Sequence, residues 1–354
     1  MAETPEKHEG WHRHAADVMA TMVATGGYAS AVAAVSDGAA VRWSRATSGT
    51  TVATIDTIFP LASISKPILA TAVMQLAERG LLLLGDPVAA YLPEFGRNGK
   101  ERVSIWHLLT HSGGLAEFDL AARAALDGAY IRREPRAAYY AIICDLGLDH
   151  PPGVRQRYSR VPWSILAELI ARVGGMDYPM WLRDEIFIPL GMRDTSFVPA
   201  DPTRLAREPA ALPELDTPEA WAYRDSLATD LYSTVPDLLA FGRALLGGGP
   251  GRVIGAGAVA AMATPQPDLV TEEDGALRPV TTQGLGWALR SPRGNSRRYP
   301  PRGFGHAGGT GGWLWIDPGY DLAFALLSNS AGPSQNWGMR LLNAAYGARD
   351  RNDA

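Results

Sequence analysis

The spacing of apolar positions changes along this chain, and the changes divide it into stretches of different structure. Residues 14–24 carry apolar side chains at helical intervals and stop at Gly26-Gly27, which predicts a short amphipathic helix. Residues 28–36 and 39–45 are rich in β-formers and small apolar residues, and Asp37-Gly38 between them is a hairpin signal. From 63 to 79 the period is helical again. Ile64, Ile68, Leu69, Val73, Met74 and Leu76 cover much of that helix's circumference, so it is expected to be buried. Pro67 falls in its first turn, where a missing N–H costs little, and Gly80 closes it.

Helical periods then recur between about 86 and 250, punctuated by Gly and Pro: 104–110, 134–146, 164–172, 178–186 and 234–246. The last opens on Ser233-Thr234-Val235-Pro236-Asp237, a cap sequence. Strand-like runs return at 285–290, 312–316 and 322–328, and 334–346 reads as a closing helix. Strands at both ends with helices between them predict one sheet assembled from both chain ends plus an inserted helical lobe. The expected division is a discontinuous sheet lobe, 1–85 with 251–354, and a helical lobe, 86–250, forming one catalytic unit with its site at the interface. There is no internal repeat and no long low-complexity segment.

Ser63-Ile64-Ser65-Lys66 opens the buried helix. At 3.6 residues per turn Ser63 and Lys66 share a face while Ser65 points elsewhere. A hydroxyl one turn from an amine is the S-x-x-K arrangement, in which lysine helps to deprotonate serine. The same spacing also arises in an ordinary capped helix start, so the rest of the chain has to decide.

Composition narrows the field. At 354 residues the chain is long for one core, and 46% apolar with 20% charged residues is ordinary globular composition. A net charge of −4, from 33 basic and 37 acidic residues, disfavours nucleic acid as a partner. The single cysteine, Cys144, excludes an internal disulfide and fits a reducing compartment; Ala141-Ile142-Ile143 before it reads as buried helix, which assigns the thiol to the core. The start of the chain lacks the basic and apolar regions of a secretion signal. No apolar run reaches the ~18 residues that span a membrane, so a cytoplasmic location without a membrane partner is expected.

Two further segments offer chemistry. Tyr158 follows a turn at Pro152-Gly153, and Gly305-His306-Ala307-Gly308-Gly309-Thr310-Gly311-Gly312 leads into a strand. Glycine there permits close backbone approach, and free N–H groups beside a nucleophile serve as oxyanion donors. No Lys-Ser/Thr follows, so it is not a phosphate loop.

With these segments in view the chain resembles the β-lactamase-related serine hydrolases: class C β-lactamases, family VIII carboxylesterases, D,D-peptidases and D-aminopeptidases. The resemblance rests on Ser63-x-x-Lys66, on Trp106-His107-Leu108-Leu109-Thr110-His111-Ser112-Gly113-Gly114-Leu115, and on Pro152-Gly153 with Tyr158-Ser159. It extends to Ile188-Pro189-Leu190-Gly191-Met192-Arg193-Asp194-Thr195, Leu231-Tyr232-Ser233-Thr234-Val235-Pro236-Asp237-Leu238 and Gly305-His306-Ala307-Gly308, in order from about 15 to 345. It implies an α+β fold whose sheet is antiparallel and flanked by helices. It implies Ser63 as acylated nucleophile, Lys66 and Tyr158 sharing the proton work, and the N–H groups of Ser63 and Gly309 as oxyanion hole. His306-Ala307-Gly308 stands where β-lactamases carry Lys-Thr-Gly. No cofactor or metal is implied. Free Tyr and Lys titrate near 10 and about 10.4, so either is a poor base at pH 7 unless the other perturbs it. The two are expected to titrate as a coupled unit.

One departure stands out. The family pattern after this tyrosine is Tyr-Ser-Asn or Tyr-Ala-Asn, and this chain has Arg160 in the third place. Arginine has no acceptor and a permanent charge. Either Arg160 faces the pocket, lowering the tyrosine pKa or meeting an anionic group, or it is turned outward into a salt bridge. Arg293, Arg297, Arg298 and Arg302 form a basic loop that either edges the pocket or is simply solvated. Trp287, Trp313 and Trp315 fit an aromatic pocket wall or core packing equally well.

Other signals are discounted. His8-Glu9-Gly10-Trp11-His12 matches a zinc pattern by letter but reads as a polar tail, and Gly255-Ala256-Gly257 lacks the strand that frames a dinucleotide fingerprint. There is no G-x-S-x-G elbow. His107 and His111 read as structural hydrogen-bonders, because nothing places them beside Ser63. The leading expectation is an esterase acting on small acyl esters through an acyl-enzyme on Ser63. An acyltransferase, an amide or β-lactam hydrolase, and a catalytically silent binding protein of the same fold are the alternatives. The expected partner is a small-molecule ester or amide; oligomeric state is not legible.

Overall fold

The computed structural model describes residues 6–25, 28–49, 52–131, 134–199, 201–206, 231–249, 251–266, 270–273, 276–279, 282–289, 303–329 and 335–349. From the amino end come helix α1 (Glu6–Ala24), strands β1 (Ser30–Ser36), β2 (Val41–Ser48) and β3 (Phe59–Pro60), a 3-10 turn over Ala62–Ile64, and helix α2 (Ser65–Glu78). Helices α3 (Ile105–Leu109), α4 (Leu120–Ile131), α5 (Arg136–Asp145), α6 (Val161–Gly174) and α7 (Tyr178–Leu182) follow, then β4 (Tyr232–Ser233), α8 (Val235–Leu245) and α9 (Ala256–Met262). The carboxyl end supplies β5 (Val270–Glu273), β6 (Ala276–Pro279), β7 (Ala288–Leu289), β8 (Phe304–Ala307), β9 (Trp313–Asp317), β10 (Leu322–Ser328) and helix α10 (Gln335–Arg349).

Six of the strands form one antiparallel sheet in the order β2-β1-β10-β9-β8-β7. The first hairpin therefore lies beside the last strand, with Ala31 opposite Ser328 and Ser36 opposite Ala323. The fold is α+β with its sheet built from both chain ends. Side chains alternate between the sheet's faces, as the period of two requires. Val32, Ala34, Ala323, Ala325, Leu327, Leu314 and Ile316 face the larger core with α2, α6 and α8. Ala31, Ala33, Val35, Leu322, Phe324, Leu326 and Trp315 face a second core with α1 and α10. Covered on both sides, β1 and β10 are buried along their whole length, which explains their unbroken apolar sequences.

Several expectations shift. Helix α1 begins at Glu6 rather than 14, so the backbone of 8–12 is helical and not a tail. The 285–290 strand shrinks to Ala288–Leu289, because Gly286 takes φ +76 where a Cβ would lie 2.4 Å from Ala70 Cβ on α2. Gly255 is the N-cap of α9. Trp287 is fully buried between Phe241 and Phe304, and Trp315 donates to the Tyr346 hydroxyl at 3.0 Å, so both are core residues rather than pocket wall. Among the described residues no helix is long and apolar enough to cross a membrane.

Candidate active site

Ser63 sits in the 3-10 turn ahead of α2, between β3 and a helix buried through most of its length. Ala62 before it has φ +46, a left-handed conformation costly for a side chain with a Cβ, and the turn is pinned from several directions. The Leu61 N–H donates to the Leu231 carbonyl at 2.7 Å, and the Leu231 N–H donates to Ser65 Oγ at 3.2 Å. Thr310 Oγ donates to the Pro60 carbonyl at 3.0 Å. Gly308 comes so close that a Cβ there would lie 2.6 Å from the Leu61 carbonyl oxygen. Segments from three distant parts of the sequence thus meet at the serine. Ser65, the other hydroxyl of the motif, is spent on that scaffold.

Ser63 and Lys66 share a face, as the helical spacing predicts, and Lys66 Nζ donates to Ser63 Oγ at 2.8 Å. Lys66 is 1% exposed. Tyr158 OH also donates to Ser63 Oγ at 2.8 Å, and Lys66 Nζ lies 5.1 Å from the phenol ring centroid. Hydroxyl, amine and phenol therefore converge. Tyr158 stands in an irregular segment before α6, with one side of its ring toward solvent and its hydroxyl directed at the serine. Burial of that end raises its pKa, partly opposed by the Ser63 hydrogen bond and by the charge of Arg160, so the phenol is protonated at neutral pH.

His111, which nothing in the sequence places beside Ser63, helps to hold this segment, and so does Glu117. His111, 4% exposed, lies with its ring centroid 4.7 Å from that of Tyr158. Glu117, also buried, lies beside Ser159 and Val161 at the start of α6, where the Val161 N–H donates to Ser159 Oγ at 3.1 Å; desolvation raises the Glu117 pKa, partly opposed by these neighbours. No periodic signal marks the His111 contact, because 48 residues separate His111 from Ser159. His107 behaves as expected: with Ser104 it forms the capping box of α3.

Strand β8 carries His306 toward the same center, 6.1 Å from the Tyr158 ring. Its Nδ1 donates to the Ala307 carbonyl at 2.7 Å, which assigns the neutral tautomer with Nε2 as acceptor. Burial, and secondarily the nearby Lys66, lower its pKa to about 4. An unfolded imidazole takes its proton near 6.5, so between about 6.5 and 4 the unfolded chain binds the extra proton. His306 therefore subtracts stability as pH falls through 6.5, and the loss is complete below about 4. Asp237, pushed up to about 6 by burial, works in the opposite direction. The difference between variants isolates the imidazole: thermal melts of His306→Asn should lose less Tm between pH 7 and 4.5 than those of the wild type.

Beyond β8 the chain turns tightly. The Gly308 N–H donates to the Gly312 carbonyl at 2.8 Å and the Gly311 N–H to the Gly308 carbonyl at 3.0 Å. The Gly309 N–H, between them, donates to no carbonyl among the described residues, nor does that of Ser63. Arg160 lies at the N-cap of α6 with its guanidinium 3.4 Å from Asp127 on α4, half exposed, yet near enough to act on Tyr158. The basic loop of Arg293, Arg297, Arg298 and Arg302 lies outside the described residues.

A serine hydroxyl hydrogen-bonded by a buried lysine and a tyrosine hydroxyl, beside an antiparallel sheet, fits a serine hydrolase. The family model described as Beta-lactamase matches residues 15–348, and the chain belongs to that family. It is similar to penicillin-binding protein 4 of Amycolatopsis lactamdurans, 31% identical over 300 residues that cover 79% of this chain and 74% of that protein. It is also similar to esterase EstB of Burkholderia gladioli, 36% identical over 162 residues, 43% of this chain and 41% of that one. Among solved structures, a penicillin-binding protein homologue from Caulobacter crescentus shares the fold with a TM-score of 0.79, at 21% identity, over 96% of this chain and 98% of that one.

Proposed function

We propose that this serine hydrolase is an esterase, acting on small acyl esters through an acyl-enzyme on Ser63. The observation that carries the reading is that Ser63 Oγ is hydrogen-bonded at 2.8 Å by both Lys66 Nζ and Tyr158 OH. In the acylation step a bond forms between Ser63 Oγ and the acyl carbon, and the carbon–oxygen bond to the alcohol breaks. The serine proton enters the Lys66–Tyr158 pair, which accepts it on Lys66 as the uncharged amine because the phenol holds its own, and the departing alkoxide takes one proton back from the pair; water then repeats the exchange in reverse to release the acid. The unengaged N–H groups of Ser63 and Gly309 receive the oxyanion. His306 and Gly308 belong to the substrate-facing strand end.

Esters are preferred over β-lactams and peptide termini because of charge. Those substrates present a carboxylate, and recognition of it needs a fixed cation. Here His306 is neutral at pH 7, and Arg160 is engaged with Asp127. An ester also has a better leaving group than an amide and asks less of the general acid. The division at 85/86 and 250/251 and a cytoplasmic setting, which the buried free Cys144 fits, belong to the same proposal. The test is a panel of p-nitrophenyl acetate, butyrate and longer esters beside nitrocefin and a D-alanyl-D-alanine peptide, with the mass shift on Ser63 read for each. Short esters should give the fastest acylation. Faster turnover of nitrocefin or the peptide would overturn the ester assignment, and partition to added alcohols instead of water would make the enzyme an acyltransferase.

A further inference from the structure

We propose that His111 is the positioning residue that fixes the Tyr158 phenol against Ser63. The inference rests on the acyl-enzyme reading above. His111 grips the chain on both sides of the tyrosine. Its carbonyl accepts the Arg157 N–H at 2.8 Å, and its ring Nδ1 accepts the Ser159 N–H at 3.2 Å. Its imidazole lies against the phenol between these two bonds, with centroids 4.7 Å apart and planes inclined by 36°, and is backed by Trp163 at 5.7 Å. One residue therefore sets the position of the backbone before Tyr158, the backbone after it, and the ring.

The arrangement carries costs that packing alone does not require. His111 has φ +59, which disfavours a side chain with a Cβ, and its imidazole is buried, which is unfavourable unless its nitrogens are used. A leucine or phenylalanine would fill the same space without a polar ring. What the imidazole adds is an acceptor aimed at one N–H, and that acceptor exists only while Nδ1 is unprotonated. Burial, and secondarily Lys66 nearby, keeps the ring neutral. Because Tyr158 stands in irregular chain rather than on a helix or strand, no secondary-structure ladder supplies this rigidity.

The experiment compares wild type with His111→Phe, His111→Gln and His111→Asn, each normalised to active sites titrated with a fluorophosphonate. Phenylalanine keeps the ring and loses the acceptor; glutamine carries its oxygen one bond too far. Asparagine puts its amide oxygen near the place of Nδ1 and tolerates a left-handed backbone. A phenol displaced by about 1 Å costs on the order of 10²-fold, so kcat should fall by that factor in the Phe and Gln variants with KM changed little, and Asn should recover most of the loss. The fall should be larger for ethyl butyrate than for p-nitrophenyl butyrate, because ethoxide needs the tyrosine's proton and p-nitrophenolate does not. A loosened fold would lower both esters alike.

Equal losses in Asn and Phe, a wild-type rate in Phe, or equal losses on the two esters would each overturn the proposal. If Phe and Gln do not fold, Asn still decides: activity per titrated site near the wild type's supports it, and a loss on the order of 10²-fold overturns it. Failure of the wild type itself to be labelled at Ser63 would remove the acyl-enzyme reading instead, and that result is distinguishable from all of these.

Discussion

Ser63→Ala lowers turnover of p-nitrophenyl butyrate by roughly 10³-fold or more, and abolishes the fluorophosphonate mass shift on the intact protein. The size follows from what is removed. The oxygen that accepts from Lys66 and Tyr158 disappears, and no neighbouring hydroxyl replaces it: Ser65 is fully buried and bonded to the Leu231 N–H. The remaining rate comes from oxyanion binding and substrate orientation alone. The fold should survive, since Ser63 Oγ joins the site's own groups and the turn is pinned by Leu61, Leu231 and Thr310 instead. A labelled Ser63→Ala protein would place the nucleophile elsewhere.

Tyr158→Phe lowers kcat toward alkyl esters by on the order of 10²–10⁴-fold, the range of a lost general acid–base partner. The ring keeps its contact with His111, so binding changes less than rate. The pH profile carries a second, independent expectation. Burial raises the phenol's pKa above its ordinary 10.0, with the Ser63 hydrogen bond and Arg160 only partly opposing it. The proton therefore stays on the phenol throughout the neutral range, and any alkaline loss of kcat from its ionisation begins above the ordinary tyrosine value. An alkaline limb well below pH 10 that vanishes in Tyr158→Phe would show that the phenolate, not the phenol, is the resting state.

Much of this was legible from residue spacing. The hairpin at Asp37-Gly38, the stop at Gly80, the cap at Thr234 and strand β10 lie where local chemistry puts them, because each is decided by a few adjacent residues. The S-x-x-K pair follows from helical geometry alone. Helix α4 was missed although Leu120–Leu126 is rich in strong helix formers, because its exposed face leaves little apolar period to read, and the start of α1 was missed because Gly10 interrupts a polar stretch. His111 is the structural hydrogen-bonder its sequence context suggests, but its place beside Tyr158 was missed, as was Glu117. Their neighbours, Ser159 and Val161, lie tens of residues away at the start of α6, where no period marks a contact. Arg160 was read as having two possible orientations, and the ion pair with Asp127 could be seen only once α4 was in place.

The pairing of β1 with β10 also sets a schedule for biosynthesis. Ser36 meets Ala323, so the opening hairpin waits for all the residues between them to emerge before its neighbour exists. At about 5–20 residues per second that interval is on the order of tens of seconds. Contacts of such long sequence separation slow folding, and the unshielded edge of β1 is a natural client for chaperones meanwhile. The turn bearing Ser63 is translated early yet acquires its glycine buttress only with residues 308–310, so the proposed nucleophile stands on an unsupported turn until those residues arrive.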